Sequence, residues 1–185
     1  MRIVKIHGCS GAGKTTVVRK IMKMADFTRL PALGKPEAYM SNSLSKDPVY
    51  VLGSYENTCG GMDVVGDSAK VIKLLDHYSQ KGHIIFEGLL QSTYYGKLGE
   101  HSKAWDRDYI YAFLDTPIEL CLERVVARRA ASNRNNKFNP ELTREKHETI
   151  DALKRKLLAT TSHHVLILKH DDNPAQQVLD ILNEE

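Results

Sequence analysis

Cysteine is scarce in this 185-residue chain: Cys9, Cys59 and Cys121 stand far apart, with no Cys-x-x-Cys among them. An odd count at that spacing supports neither a disulfide framework nor a thiolate zinc site, so a reducing, cytoplasmic setting is expected. Long apolar runs are missing as well. None approaches the roughly 18 residues that a bilayer-crossing helix needs, and no membrane partner is expected. The first residues hold no apolar core followed by a small-residue cleavage site; Arg2 to His7 read instead as a strand. Nor does one sign of charge dominate. The 26 basic and 23 acidic residues leave a formal net charge of +3, which excludes a charge-driven disordered tail and neither demands nor excludes DNA. With 42% hydrophobic residues, the chain suits one domain, expected over residues 1–185.

Strand and helix patterns alternate along it. Arg2 to His7 runs into a glycine loop, and residues 15–24 carry Val17, Val18, Ile21 and Met22 at helical spacing. Residues 27–47, with Pro31, Gly34 and Pro36, read as an irregular excursion. Residues 48–55 suggest a strand, 67–80 a helix stopped by Gly82, and Ile84-Ile85-Phe86 and residues 109–114 strands buried on both faces. Thr116-Pro117-Ile118-Glu119 has the spacing of a helix start, with Asp115 as a further cap. After a polar break, residues 140–160 predict a long helix, 165–168 a last strand and 174–182 a closing helix. The expectation is an α/β fold with a five-stranded parallel sheet covered by helices on both faces.

Gly8-Cys9-Ser10-Gly11-Ala12-Gly13-Lys14-Thr15 satisfies G-x-x-x-x-G-K-[ST] between a predicted strand and a predicted helix. Backbone amides must converge on phosphate oxygens here, and glycine permits the turns and the close approach. The helix that follows offers its positive N-terminal end to the same anion. Lys14 is expected to bridge the β- and γ-phosphates, and the Thr15 hydroxyl to ligate Mg²⁺. Gly8, Ser10, Gly11, Ala12, Gly13, Lys14, Thr15 and Thr16 are the expected contacts to ATP.

Such a loop serves kinases, GTPase switches and motor ATPases alike. Asp63-Val64-Val65-Gly66 matches the D-x-x-G of GTPases, but no apolar strand runs into it, and Asn136-Lys137-Phe138-Asn139 lacks the Asp of a guanine-reading element. Arg124, Arg128, Arg129 and Arg134 gather on and just after one helix. Arginines that close over a triphosphate neutralise charge spreading over the γ-phosphoryl oxygens; the bland alternative is a solvated basic face. With the phosphate loop upstream, an arginine-bearing lid over about residues 128–140 is expected, Arg124 and Arg128 acting in catalysis and Arg128 also on ATP. A kinase is the best reading.

The phosphate loop, Ile84-Ile85-Phe86-Glu87-Gly88, Phe113-Leu114-Asp115-Thr116-Pro117 and the arginine cluster together resemble the P-loop nucleoside, nucleotide and polynucleotide kinases. Phe86-Glu87-Gly88 looks like the element that uridine kinases carry; the loop and the Asp-x-Pro helix start look like those of phage polynucleotide kinases. The combination is also similar to the phage 5-hydroxymethyluracil DNA kinase type. Residues 27–62 match neither the uridine kinases nor the phage polynucleotide kinases clearly. The resemblance implies a parallel sheet, ATP and Mg²⁺, an arginine lid and an alcohol group as acceptor. The acceptor itself stays open between a 5-hydroxymethylpyrimidine in DNA, a free nucleoside or nucleotide and a polynucleotide 5′ end.

A hydroxyl acceptor needs a carboxylate to orient or take its proton. Glu87 ends a buried strand, where a lone carboxylate is costly without a cation or partner. It is expected beside Mg²⁺ or the acceptor, against the alternative of a structural hydrogen-bonded Glu. Asp63 follows Gly60-Gly61 and is the candidate base, against a simple turn Asp. Tyr55, Tyr94, Tyr95 and Trp105, with Lys97, Lys103 and Arg107 nearby, read as loop residues able to stack on a nucleotide and touch its phosphates.

Overall fold

The computed structural model describes residues 1–57, 60–65, 67–88, 95–104, 108–131, 138–160 and 162–184. In chain order the elements are β1 (Arg2–His7), α1 (Lys14–Lys23), β2 (Thr28–Leu30), β3 (Ala38–Ser41) and β4 (Val49–Leu52). A 3-10 turn (Met62–Val64), α2 (Ser68–Ser79), β5 (His83–Glu87), α3 (Tyr95–Ala104) and β6 (Asp108–Leu114) follow. The chain closes with α4 (Ile118–Ala131), α5 (Pro140–Thr160), β7 (His164–Leu168) and α6 (Pro174–Asn183).

The sheet has seven strands in the order β2-β3-β4-β5-β1-β6-β7. The five strands read from the sequence lie side by side and run parallel, while β2 and β3 add an antiparallel hairpin beyond β4. The expectation of a five-stranded parallel sheet is therefore corrected to a mixed sheet of seven. Residues 27–47, read as irregular, supply the extra pair. β2 is only Thr-Arg-Leu and β3 Ala-Tyr-Met-Ser, too short to show a period between the prolines.

The central strands are mostly apolar because both faces are covered. Val4, Ile6, Ile85 and Ile110 pack against Val17, Val18 and Ile21 of α1 and Val178 and Leu182 of α6. On the other face Ile3, Ile84, Phe86, Tyr109 and Tyr111 meet Val71 and Leu75 of α2, Leu98 of α3 and Leu153 and Leu157 of α5. Parallel strands place all their C-terminal ends on one edge, and the loops that leave it form the site.

Two residues of β1 break the apolar rule. Lys5 and His7, on the face of Ile3 by strand alternation, are fully buried. His7 stacks on Phe113 at 4.5 Å between ring centres, and burial, with Lys5 and Lys14 nearby, holds it well below the ordinary histidine range. Burial likewise pulls the Lys5 ammonium down to about 7, against the opposing pull of Asp63. An unfolded chain keeps that proton to roughly pH 10.4. Above neutral pH the unfolded state thus binds more protons, and the Lys5 contribution makes stability rise with pH. Its share is at most about 1.4 kcal/mol per pH unit. Lys5→Met will flatten this rise, read as the difference in urea midpoints between variant and wild type from neutral pH to about pH 9.

Candidate active site

β1 is the central parallel strand, and its C-terminal end delivers Gly8 into the phosphate loop. Gly13 forms the N-cap of α1 with φ of 102° and no side-chain cap. The first amides of α1 are left to an anion, and the first turn carries no acidic residue to oppose one. Gly11 has φ of 84°, and a Cβ there would lie 2.1 Å from the Cys121 carbonyl oxygen, so only glycine fits. The Lys14 ammonium is buried beneath the loop, donating to the carbonyls of Gly8 at 2.7 Å and Cys9 at 3.1 Å.

The Thr15 hydroxyl donates to Glu87 Oε1 at 2.8 Å. Glu87 is 2% exposed at the end of β5, opposite Ile6 of β1. Burial pushes its carboxyl up and nearby Asp63 adds to this, while Lys14 and the Thr15 hydrogen bond pull it back. Gly61, with φ of 92°, brings the backbone against this carboxylate: a Cβ there would stand 2.6 Å from Oε1. Two residues on, Asp63 sits in the 3-10 turn and faces the same cleft.

That cleft has a volume of about 590 Å³. The phosphate loop from Cys9 through Thr16, Asp63, Glu87, Arg124 and Arg128 all line it, while Gly8 lies behind the loop. Arg124 Nη1 reaches the Gly11 carbonyl at 3.4 Å. Arg129 points elsewhere, lying 6.0 Å from the ring of Phe138. The expected lid segment is described only at its two ends; residues 132–137, with Arg134, lie outside the described residues.

Some expectations are corrected. Tyr55 is no exposed stacking platform: it is buried against Tyr39, and its hydroxyl donates to the Leu52 carbonyl. Residue 95 opens helix α3, which also carries exposed Lys97 and Lys103; Tyr94, Trp105 and Arg107 lie outside the described residues. Asp115 does not cap α4. Its Oδ1 accepts from the His170 amide at 2.8 Å and lies 3.0 Å from Nδ1, joining the ends of β6 and β7. These bonds outweigh partial burial and hold its carboxyl below the usual range. The neighbouring Thr116 hydroxyl donates to Ala12, fastening α4 to the phosphate loop.

Arg19 and His170 are among the lining residues that escaped the sequence reading. Arg19 lies one helical turn after Thr15, on the same face of α1, and donates to the carbonyls of Tyr55 and Asn57. The i,i+4 phase from Thr15 was the available signal. His170, with Pro174, closes the far side of the cleft, and nothing in the local sequence announces it.

A Gly-rich loop at the end of the central parallel strand, with a buried lysine, a hydroxyl paired to a carboxylate and arginines from a following helix, defines a P-loop phosphotransferase. The particular family follows from comparison. The family model of 5-hmdU DNA kinases matches residues 2–169, and the chain belongs to that family. It is similar to the 5-hmdU DNA kinase of Pseudomonas phage M6, 29% identical over 167 residues, 86% of this chain and 87% of that one. A 5-hmdU DNA kinase of Pseudomonas phage PaMx11 is also 29% identical, over 84% of this chain and 85% of the relative. 5-hmdU DNA kinase 1 of Salmonella phage ViI is 27% identical over 78% of this chain and 66% of its own length. Among solved structures, deoxyadenosine kinase from M.mycoides superposes over 98% of both chains with a TM-score of 0.54 and 15% identity, a likeness of fold. The protein is a kinase, and the GTPase reading of Asp63-Val64-Val65-Gly66 falls away. Among the described residues, no helix is long and apolar enough to cross a membrane.

Proposed function

We propose that the protein transfers the γ-phosphoryl group of ATP to the 5-hydroxymethyl group of 5-hydroxymethyluracil in DNA, in the cytoplasm of a phage-infected host. Membership of the 5-hmdU DNA kinase family carries this reading. The cleft supports it by facing two carboxylates, Asp63 and Glu87, towards one phosphate loop.

The donor set fits ATP and Mg²⁺. Among the described residues no three metal-ligating side chains cluster, whereas Thr15 and Glu87 form an adjacent hydroxyl–carboxylate pair. Magnesium is suited to such a site, keeping waters and taking its remaining ligands from phosphate. Thr15 and Glu87 would hold it, and once bound it supplies charge neutralisation on the phosphates. The phosphate-loop amides and Lys14 bind the β- and γ-phosphates. Asp63 accepts the proton of the acceptor hydroxyl as its oxygen bonds to the γ-phosphorus, and the bond from that phosphorus to the β-bridging oxygen breaks to release ADP. Arg124 and Arg128 balance the charge on the equatorial oxygens, Arg128 from a lid over about residues 128–140. The whole chain, 1–185, acts as a single kinase domain in this reading.

Labelled γ-phosphate offered with four acceptors tests it, the products being read by mass: 5-hydroxymethyluracil in DNA, the free nucleoside, its nucleotide and a polynucleotide 5′ end. The modified DNA is expected to be the preferred acceptor, gaining one phosphate on the base. Its apparent affinity will fall steeply with salt, because a polymer brings several phosphates and their counterions. Phosphorylation confined to the free nucleoside, at rates indifferent to salt, overturns the DNA reading.

A further inference from the structure

The hairpin beyond β4 has no part in the chemistry described so far. β3 pairs antiparallel with β4, Ala38 opposite Leu52, and β2 with β3, Leu30 opposite Ala38. Residues 31–37 therefore leave the sheet at the C-terminal end of β4, on the edge that also bears Glu87 and the phosphate loop.

This loop is braced. The Arg29 guanidinium donates to the carbonyls of Pro31 at 2.9 Å, Ala32 at 3.0 Å and Gly34, and pairs with Glu56 at 2.7 Å. Below, the Gly53 amide donates to the Glu37 carbonyl at 2.8 Å, and Glu37 pairs with Lys70 at 2.5 Å. Across, the Lys35 ammonium donates to the carbonyl of Val64, the residue next to Asp63. The hairpin is thus fastened to the turn that carries the candidate base. At its tip Leu33 is 86% exposed, more than any other large apolar side chain among the described residues. Residues 31–36 hold no carboxylate and one lysine, so nothing in the tip repels phosphate.

A hydroxymethyl group on a base inside a polymer must reach Asp63 and the almost fully buried Glu87. Enzymes that act on a base draw it out of the stack, which costs unstacking energy. An exposed apolar side chain on a rigid support is the device by which proteins open a base step. We propose that the 31–37 hairpin enters duplex DNA, Leu33 occupying the space in the stack that the modified pyrimidine leaves as it turns into the cleft. This inference rests on the DNA-acceptor reading above.

The test uses the full chain with a duplex holding one 5-hydroxymethyluracil beside a 2-aminopurine, and the corresponding single strand. Wild-type protein is expected to phosphorylate both and to raise 2-aminopurine fluorescence on binding the duplex. Leu33→Ala will lower kcat/KM on the duplex by about tenfold and lose most of the fluorescence rise. It will keep wild-type kcat/KM on the single strand, where no stack has to be opened, and an unchanged KM for ATP. Leu33→Met will restore the duplex rate. Wild-type rates and fluorescence for both Leu33→Ala and Leu33→Asp overturn the wedge, as does an equal loss on duplex and single strand. A wild-type enzyme that phosphorylates only single-stranded DNA overturns the wedge and leaves the acceptor reading standing. One that phosphorylates only free nucleoside overturns the acceptor reading, and the wedge with it.

Discussion

Lys14→Ala will lower kcat/KM by at least about 10²–10³-fold, the scale seen when a single charge stabiliser is removed from a transition state. The ammonium is buried under the loop it serves, held by the carbonyls of Gly8 and Cys9, and so already stands where phosphate charge arrives. Alanine removes the one full charge inside the loop and leaves the amides of Gly13 and α1 in place. The fold should survive, since Lys14 sits in the first turn of α1 and the apolar face of that helix is Val17, Val18 and Ile21. Thermal melting separates the two effects. Wild-type protein will gain about 2.7 kcal/mol at a hundredfold excess of ATP over Kd; the variant will melt normally without ATP and lose most of that gain. A folded Lys14→Ala protein with wild-type turnover refutes the assignment.

Asp63→Asn will lower kcat by about 10²–10⁴-fold while the ATP Kd holds, because a general base acts in the transition state and touches no phosphate. Glu87→Gln is expected to behave differently. The amide oxygen still accepts from Thr15, but the negative charge is gone, so the Mg²⁺ concentration for half-maximal rate will rise about 10–100-fold. Steady-state kinetics at varied Mg²⁺ distinguish the pair. A metal phenotype in Asp63→Asn with a pure kcat loss in Glu87→Gln reverses the two roles.

How legible all this was in the sequence depended on whether one segment carried the information alone. The phosphate loop did: its glycines, lysine and threonine lie on adjacent backbone, so the motif and the local geometry coincide. β5 and β6 were legible because burial on both faces leaves continuous apolar runs, and β1 because its mixed apolar and basic residues run straight into the glycine loop. The β2–β3 hairpin was not, since strands of three and four residues show no period, and the partners of β3 on β4 lie 8 to 14 residues away. Asp115 misled for a similar reason. Its spacing before Pro117 is that of a cap, yet its carboxylate meets His170, a partner 55 residues on. Tyr55 looked exposed because polar and glycine residues surround it, whereas its ring is covered by Tyr39 from the hairpin that the sequence did not reveal. Arg19 and His170 reach the cleft through helix phase and strand order, neither of which a motif records.

The clamp between the phosphate loop and α4 also places two thiols at the heart of the enzyme. Cys9 and Cys121 are buried, the Cys9 Sγ donating to the Ser10 carbonyl at 3.4 Å and the Cys121 Sγ to the Thr116 carbonyl at 3.7 Å; the influence of each thiol on the other draws the Cys9 thiol down and pushes that of Cys121 up. The Cys121 backbone lies against Gly11, and Thr116 ties the same helix to Ala12. A thiol reagent can meet either sulfur only when loop and helix part, so alkylation of these two positions becomes an internal clock for that opening. ATP that bridges the loop and the arginines of the helix, as in the proposed reaction, is expected to slow the clock, so that nucleotide occupancy is read as chemical protection without any label added to the protein.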